Sequence, residues 1–137
     1  MEAPPWSVDP PQTQPRRRRA RILAADDDPD MRRVLQAWLS PRHEFLALPD
    51  GQALLDAAVE TRPDLVILDV RMPGLDGWTV IGQLRLRFGP RRLPVLVLSG
   101  SVKDLEFLAR DGSGADAFLA KPLVRETLLA HVNALLC

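Results

Sequence analysis

The sequence predicts an α/β domain built on one doubly wound sheet of five parallel strands. Short apolar runs alternate with amphipathic stretches from residue 21 onward, which is typical of consecutive strand–helix units. The runs are apolar along their whole length instead of alternating with polar residues, and this indicates strands covered by helices on both faces. At 137 residues, the chain is long enough to bury such a core.

The first half of the chain contains three predicted strands and two predicted helices. Strand one spans 22–25, and Asp28 followed by Pro29 is typical of a helix start. That helix continues at 3.6-residue apolar spacing and ends at Pro41. The other elements are a strand over 45–48, a helix from a cap at Asp50 to about Glu60, and a strand over 65–68 that ends at Asp69.

The second half adds two predicted strands and three predicted helices. A loop over 70–75 leads to a helix that begins at a cap, Asp76, and includes Phe88. Pro94 then opens a strand over 95–98. The remaining elements are a weaker helix over 103–110, a strand over 117–120 that ends at Lys121, and a helix from Val124 to about Leu136.

Residues 1–20 differ in composition from the rest of the chain. Five prolines and four consecutive arginines lie there, so we predict a disordered leader before a domain at 21–137. Four arginines against two acids give the leader a charge of +2, and because the chain has 18 acidic and 18 basic residues, the body carries −2. Attachment of the leader to a nucleic acid, a membrane or an acidic partner stays open, although a solubilising role is favoured. The acidic body argues against DNA binding by the domain.

The sequence predicts a cytoplasmic protein. No apolar run approaches the roughly 20 residues that span a bilayer, and prolines and charges occupy the place of a signal peptide's apolar stretch. Cys137 is the only cysteine. A single thiol cannot form an internal disulfide, so folding does not depend on an oxidising compartment.

Polar side chains follow four of the five predicted strands. In chain order they are Asp26, Asp27, Asp69, Ser99 and Lys121. The carboxyl ends of parallel strands meet at one edge of the sheet, where ligand sites lie in such folds. Three crowded carboxylates repel one another, and a hard cation with oxygen ligands relieves that repulsion. The sequence therefore predicts a Mg²⁺ site at this edge.

These side chains suit transfer of a phosphoryl group. Asp69 is the candidate nucleophile, since carboxylates form acyl phosphates. Lys121 offers a point charge to the Asp69 carboxylate or to its phosphate, and the Ser99 hydroxyl can donate a hydrogen bond to a phosphoryl oxygen. Gly100 leaves the approach open, and a cis bond before Pro122 is one way to turn Lys121 toward the cleft.

Four motifs, in this order and at these separations, resemble the bacterial response-regulator receiver family. They are Ile-Leu-Ala-Ala-Asp-Asp-Asp at 22–28, Leu-Asp-Val-Arg-Met-Pro-Gly-Leu-Asp-Gly at 68–77, Val-Leu-Ser-Gly at 97–100 and Lys-Pro at 121–122. Each motif alone is a weak signal, but their joint match over about residues 21–136 is specific. The resemblance implies a flavodoxin-like sheet with strand order 2-1-3-4-5.

The resemblance also implies roles for the polar residues. Asp69 would accept its phosphoryl group from a sensor histidine kinase or a histidine phosphotransfer protein. Asp27, Asp69 and the backbone carbonyl of Arg71 would bind Mg²⁺ directly, and Asp26 would help through a water molecule.

Ser99 and Phe118 match the family's switch pair, in which phosphate draws the hydroxyl inward and the ring fills the vacated space. Phe118 lacks the hydroxyl of a tyrosine, so its part in the switch depends on packing alone. Arg71 and Ser101 match positions that flank the phosphoryl group and affect its lifetime, and an arginine there can shield the phosphate or pair with it.

The sequence leaves three functions to compare. The chain ends with the fifth predicted helix, so we expect no output domain. The favoured function is a single-domain switch or phosphorelay carrier that contacts a downstream protein, or a second copy, through the face of helix 4, strand 5 and helix 5. A phosphorylation-independent adaptor is the alternative, and a metal-dependent phosphatase is a weaker third. We predict that the protein is not a turnover enzyme.

Several other conspicuous residues are predicted to be structural. His43 and His131 have no metal-binding partner at a suitable spacing, and Trp38 and Phe88 fit apolar core stripes. The glycine loop at 112–114 is too short to cradle a phosphate. The apolar residues of the last helix fit core packing or a partner surface about equally well.

Overall fold

Five strands alternate with five helices along the chain. The protein is described by a computed structural model over residues 19–89, 93–108 and 114–137. The strands are β1 (Arg21–Ala25), β2 (Glu44–Leu48), β3 (Leu65–Asp69), β4 (Val95–Ser99) and β5 (Ala117–Ala120). The helices are α1 (Pro29–Leu39), α2 (Gly51–Thr61), α3 (Gly77–Phe88), α4 (Val102–Leu108) and α5 (Arg125–Leu136).

The strands form one parallel sheet in the order β2-β1-β3-β4-β5. This confirms the predicted fold class and strand order. Three predictions fall outside the described residues: the disordered leader over 1–18, the end of the fourth helix at 109–110, and most of the glycine loop at 112–113.

The sheet is buried on both faces at its centre. Alternate residues of the central strands face two separate apolar clusters, for example Leu23 toward one and Ile22 toward the other. Helices α2 and α3 contribute to the first cluster, and α1 and α5 contribute to the second. A strand with apolar neighbours on both faces needs apolar residues at every position, which explains the continuous runs in the sequence.

The two edge strands are less buried than the uniform apolar pattern predicts. All five residues of β3 and of β4 are buried, whereas exposed and half-buried positions alternate in β5. An edge strand has only one neighbour, so its solvent side stays open. Phe118 in β5 is 37% exposed for this reason.

Three aspartates begin helices as predicted. The side chains of Asp28, Asp50 and Asp76 accept hydrogen bonds from backbone N–H groups in the first turns of α1, α2 and α3. These bonds satisfy donors that have no partner within the helix. They also fix the point at which each chain segment leaves the sheet edge.

Several predicted helix bounds differ from the structure by one or two residues; α5, for example, begins at Arg125 instead of Val124. Helix α1 ends at Leu39, two residues before Pro41, with the Ser40 N–H bonded to the Gln36 carbonyl. Ser40 keeps helical dihedral angles, with φ −65° and ψ −24°, and the helix ends because the Pro41 ring has no N–H for the next helical hydrogen bond. Helix α4 begins one residue earlier than predicted, at Val102.

The ambiguous apolar residues of α5 pack mainly against the core. Leu128 and Val132 are fully buried, and the other leucines of α5 lie against the same cluster. Trp38 and Phe88 also pack against the core clusters, as predicted. Within the described ranges, every helix is too short or too polar to cross a membrane.

Candidate functional site

Three aspartates converge at the carboxyl ends of two neighbouring strands. Ala25 of β1 pairs with Leu68 of β3, so the residues that follow lie side by side. One carboxylate oxygen from each of Asp26, Asp27 and Asp69 can be chosen so that all lie within 4.8 Å of one another. Asp26 and Asp69 are buried and Asp27 is exposed. An all-oxygen donor set that is open on one side fits Mg²⁺, which keeps several of its waters.

Lys121 supplies the positive charge in this cluster. Its ammonium nitrogen lies 3.0 Å from Asp26 Oδ2 and 3.3 Å from Asp69 Oδ2. Its backbone N–H donates to the Ser99 carbonyl at 2.8 Å, which fixes the end of β5 against β4. The bond from Lys121 to Pro122 is cis. The sequence predicted the contact with Asp69 but not the closer one with Asp26.

The loop between β3 and α3 is held tightly against the acceptor strand. The Arg71 N–H donates to Asp69 Oδ1 at 3.2 Å, and the Gly77 N–H donates to the Val70 carbonyl at 3.0 Å. A Cβ atom on Gly77 would lie 2.7 Å from the Val70 Cα, so only glycine allows this approach. Gly74 has a φ of 81°, which other residues rarely adopt.

Ser99 lies at the end of β4 with its hydroxyl bonded toward α4. The residue is fully buried, and its Oγ lies 3.2 Å from Asp104 Oδ2. The Ser101 N–H donates to the same Oγ at 3.0 Å. The hydroxyl is therefore positioned at the predicted site edge and already has polar partners there.

The model of the response regulator receiver domain family matches residues 22–133. The chain belongs to this family. The motifs quoted from the sequence lie within that match, so the predicted family is confirmed. Proteins of this family act in two-component signalling.

Related proteins agree with this assignment. The response regulator MprA of Mycolicibacterium vanbaalenii is 44% identical over 117 residues, which cover 85% of this chain and 50% of MprA. The chain thus spans about half the length of that relative. The chemotaxis response regulator CheY4 of Vibrio cholerae has a solved structure with a TM-score of 0.78 at 28% identity, covering 86% of this chain and 99% of CheY4. The response regulator TrrA of Thermotoga maritima, solved in complex with Mg²⁺-BeF, has a TM-score of 0.74 at 28% identity, covering 85% of this chain and 98% of TrrA.

Electrostatics in the receiver's acidic cluster favour added positive charge. Burial raises the pKa of Asp69, the charge of Asp26 raises it further, and Lys121 only partly offsets these effects. Burial alone would lower the pKa of Lys121, but the hydrogen bond and charge of Asp26, together with Asp69, outweigh it and raise that pKa. Two buried carboxylates therefore share one ammonium group, the exposed Asp27 lies in the same cluster, and a divalent cation would complete the balance.

The structure reveals one polar residue that the sequence analysis missed. Asp104, in the first turn of α4, accepts two hydrogen bonds of 2.7 Å from the Arg71 guanidinium. These bonds lower the pKa of the Asp104 carboxyl despite its burial. The positive charge of Arg71, two residues after the acceptor, favours a nearby anion. The sequence does not indicate which acidic residue pairs with it.

The second member of the predicted switch pair lies on the neighbouring edge strand. Phe118 in β5 pairs with Val97 in β4, two residues before Ser99. Its ring is half-exposed, so an inward movement would bury apolar area. The switching movement itself stays a prediction, as does the role of the Arg71 carbonyl as a metal ligand.

Proposed function

We propose that this receiver accepts a phosphoryl group on Asp69 with Mg²⁺ bound beside it. The observation that carries the proposal is the surroundings of this one carboxylate. Asp69 is 5% exposed, shares its edge with Asp26 and Asp27, and has the Lys121 ammonium 3.3 Å away. The donor would be a sensor histidine kinase or a histidine phosphotransfer protein, in keeping with the family's place in two-component signalling.

The residues of this chain divide the work of transfer. One Asp69 oxygen forms the new bond to phosphorus while the bond from phosphorus to the leaving group breaks, and that group departs with the electron pair. Asp26, Asp27, Asp69 and the Arg71 carbonyl would hold Mg²⁺, which neutralises charge on the phosphoryl oxygens when bound. The Lys121 ammonium adds a second positive charge at the same place.

Output would come from contact of the domain with other proteins. Val102, Phe118 and Val124 are 70%, 37% and 57% exposed, and they lie on or beside α4, β5 and α5. Exposed apolar groups on neighbouring elements favour a protein partner, either a downstream target or a second copy. Capture of the Ser99 hydroxyl by phosphate would move this face together with Phe118. The cytoplasmic location stays a prediction.

Intact-protein mass after incubation with acetyl phosphate tests the acceptor. We expect one added phosphoryl group on the wild-type chain with Mg²⁺, none with a chelator, and none on Asp69→Ala. Asp56→Ala is the control, because Asp56 is an exposed carboxylate on α2 and its loss should leave the adduct intact.

Two other outcomes would redirect the proposal. If the wild-type chain gains no phosphoryl group even with rapid quenching, the phosphorylation-independent adaptor becomes the better explanation. If simple phosphate esters are hydrolysed over many turnovers, the protein acts as a metal-dependent phosphatase instead of as a phosphoryl acceptor.

A further inference from the structure

One buried carboxylate holds two polar groups that flank the acceptor. Asp104 is 6% exposed. Both of its oxygens lie 2.7 Å from nitrogens of the Arg71 guanidinium, and one also lies 3.2 Å from the Ser99 hydroxyl. Arg71 lies on the loop after β3, Ser99 ends β4, and Asp104 is on α4. Three separate segments therefore meet at this carboxylate.

We infer that Asp104 is a latch that holds Ser99 and Arg71 in the unphosphorylated receiver and must release them when Asp69 is phosphorylated. The inference rests on the proposed function, since it concerns what opposes that reaction. Asp104 acts through the other two side chains and is therefore a positioning residue, not a catalytic one.

The latch follows from the donors that each partner has available. A serine hydroxyl has one proton, and the Ser99 proton can be donated to Asp104 or to a phosphoryl oxygen but not to both. The Arg71 guanidinium already directs two N–H groups at Asp104 in the two-bond geometry that also suits phosphate. A phosphoryl group on Asp69 would therefore compete with Asp104 for the Ser99 proton and for the face of Arg71 that presents Nε and Nη2.

Release of the latch would also affect α4. A buried carboxylate that loses its donors is unfavourable, so Asp104 must find water or new partners. Asp104 lies in the first turn of α4, two residues after the exposed Val102. A shift of this turn would change the face that we propose for partner binding. The latch thus links the acceptor to α4 by a route that does not pass through Phe118.

The variant Asp104→Asn tests the latch, because asparagine has nearly the same shape without the charge. The probe is beryllofluoride with Mg²⁺, titrated by NMR through the amide signal of Ser101, whose N–H donates to the Ser99 hydroxyl. We expect Asp104→Asn to bind beryllofluoride about tenfold more tightly than wild type, since it removes charge-assisted hydrogen bonds that oppose binding. Glu106→Gln removes the same charge from an exposed position on α4 and should leave the affinity unchanged.

The signal of the Arg71 side-chain N–H gives a second readout that general loss of stability would not move selectively. It should shift when Asp104→Asn breaks the pair, and it should also shift in the wild type when beryllofluoride binds. If the variant is poorly folded, the wild-type titration alone decides. An Arg71 signal that does not respond to beryllofluoride would overturn the latch.

The failure of the latch can be distinguished from failure of the proposed function. If wild type is phosphorylated on Asp69 but Asp104→Asn binds beryllofluoride no more tightly, the latch is wrong and the function stands. If wild type neither gains a phosphoryl group nor binds beryllofluoride, the proposed function fails and the latch fails with it.

Discussion

The two ends of the sheet differ in their charged side chains and in the groups with which those side chains are paired. At the carboxyl end, one ammonium group pairs with two of three clustered carboxylates, and the cluster could hold a cation. At the amino end, a groove of about 970 Å³ is lined by residues that precede the strands, such as Arg19, His43 and Asp64, and by residues at the end of α5, such as Leu135 and Leu136.

The difference shows that cavity size is a poor guide to the chemistry of this fold. At the amino end, Arg19 bonds to the backbone carbonyls of Ser40 and His43, so its donors satisfy the chain itself. At the carboxyl end, carboxylates from two strands point at one another and oppose folding unless a cation is near. The acidic end therefore carries excess negative charge, and this excess favours binding of a cation there.

Removal of the Lys121 ammonium group should have the largest effect on the acidic end. Lys121→Met leaves the fully buried Asp26 carboxylate without its ion pair, and we expect a loss of about 3 kcal/mol in the free energy of unfolding. Because the cluster then lacks any internal positive charge, added Mg²⁺ should restore more stability to the variant than to wild type. Urea denaturation with Mg²⁺ or with a chelator measures both effects.

Lys103→Met is the control for this substitution, since Lys103 is the chain's other lysine and is exposed. Its stability should stay within about 0.5 kcal/mol of wild type. If Lys121→Met loses no more than this control, the ammonium is not what holds the cluster together.

A smaller effect is expected from the loop that closes the acidic end. Gly77→Ala places a Cβ atom 2.7 Å from the Val70 backbone and 3.2 Å from the Asp69 carbonyl oxygen. We expect a loss of about 2 kcal/mol in the free energy of unfolding as the loop is displaced, with slower phosphorylation of Asp69. Thermal denaturation and the acetyl phosphate assay report the two results.

Gly82→Ala is the matched control on the same helix. A Cβ atom there meets no neighbour within 4 Å, so alanine should increase stability by about 0.5 to 1 kcal/mol through its better helix propensity. Equal effects at the two glycines would contradict the proposed role of close packing at Gly77.

The smallest effect concerns the amino end and depends on pH. Burial, with the charges of Arg19 and Arg42, lowers the pKa of His43 below its ordinary 6.5. The neutral ring is favoured in the folded state, so the stability it contributes is present above pH 6.5 and is lost as the pH falls through the lower folded pKa. The free energy of unfolding should therefore decrease on acidification, and less so in His43→Gln.

Most of the site edge could be predicted because its signals are local in the sequence. Asp69, Ser99 and Lys121 each end or follow an apolar run, and the fold brings the ends of such runs together. Helix caps such as Asp28 were equally local. The joint spacing of these residues also identified the family. That identification required no knowledge of side-chain contacts.

The missed features depend on packing between distant segments. Arg71 and Asp104 are 33 positions apart, and their pairing requires the loop after β3 to meet the first turn of α4. Lys121 lies closer to Asp26 than to Asp69, by 3.0 Å against 3.3 Å, and so small a difference leaves no signal in the sequence. The half-exposure of Phe118 follows from its place on an edge strand, which apolar composition alone does not reveal.

Three identical residues in a row have three different environments at the end of β1. Asp26 is buried against Lys121, Asp27 is the exposed member of the acidic cluster, and Asp28 caps α1. An alignment gap could be placed anywhere in this run without changing its score. In the molecule, each placement of the gap would match a different aspartate to the ion pair, to the candidate ligand position and to the helix cap. For relatives with two or four acids here, sequence comparison alone cannot identify equivalent residues, and the partner of each carboxylate must be located first.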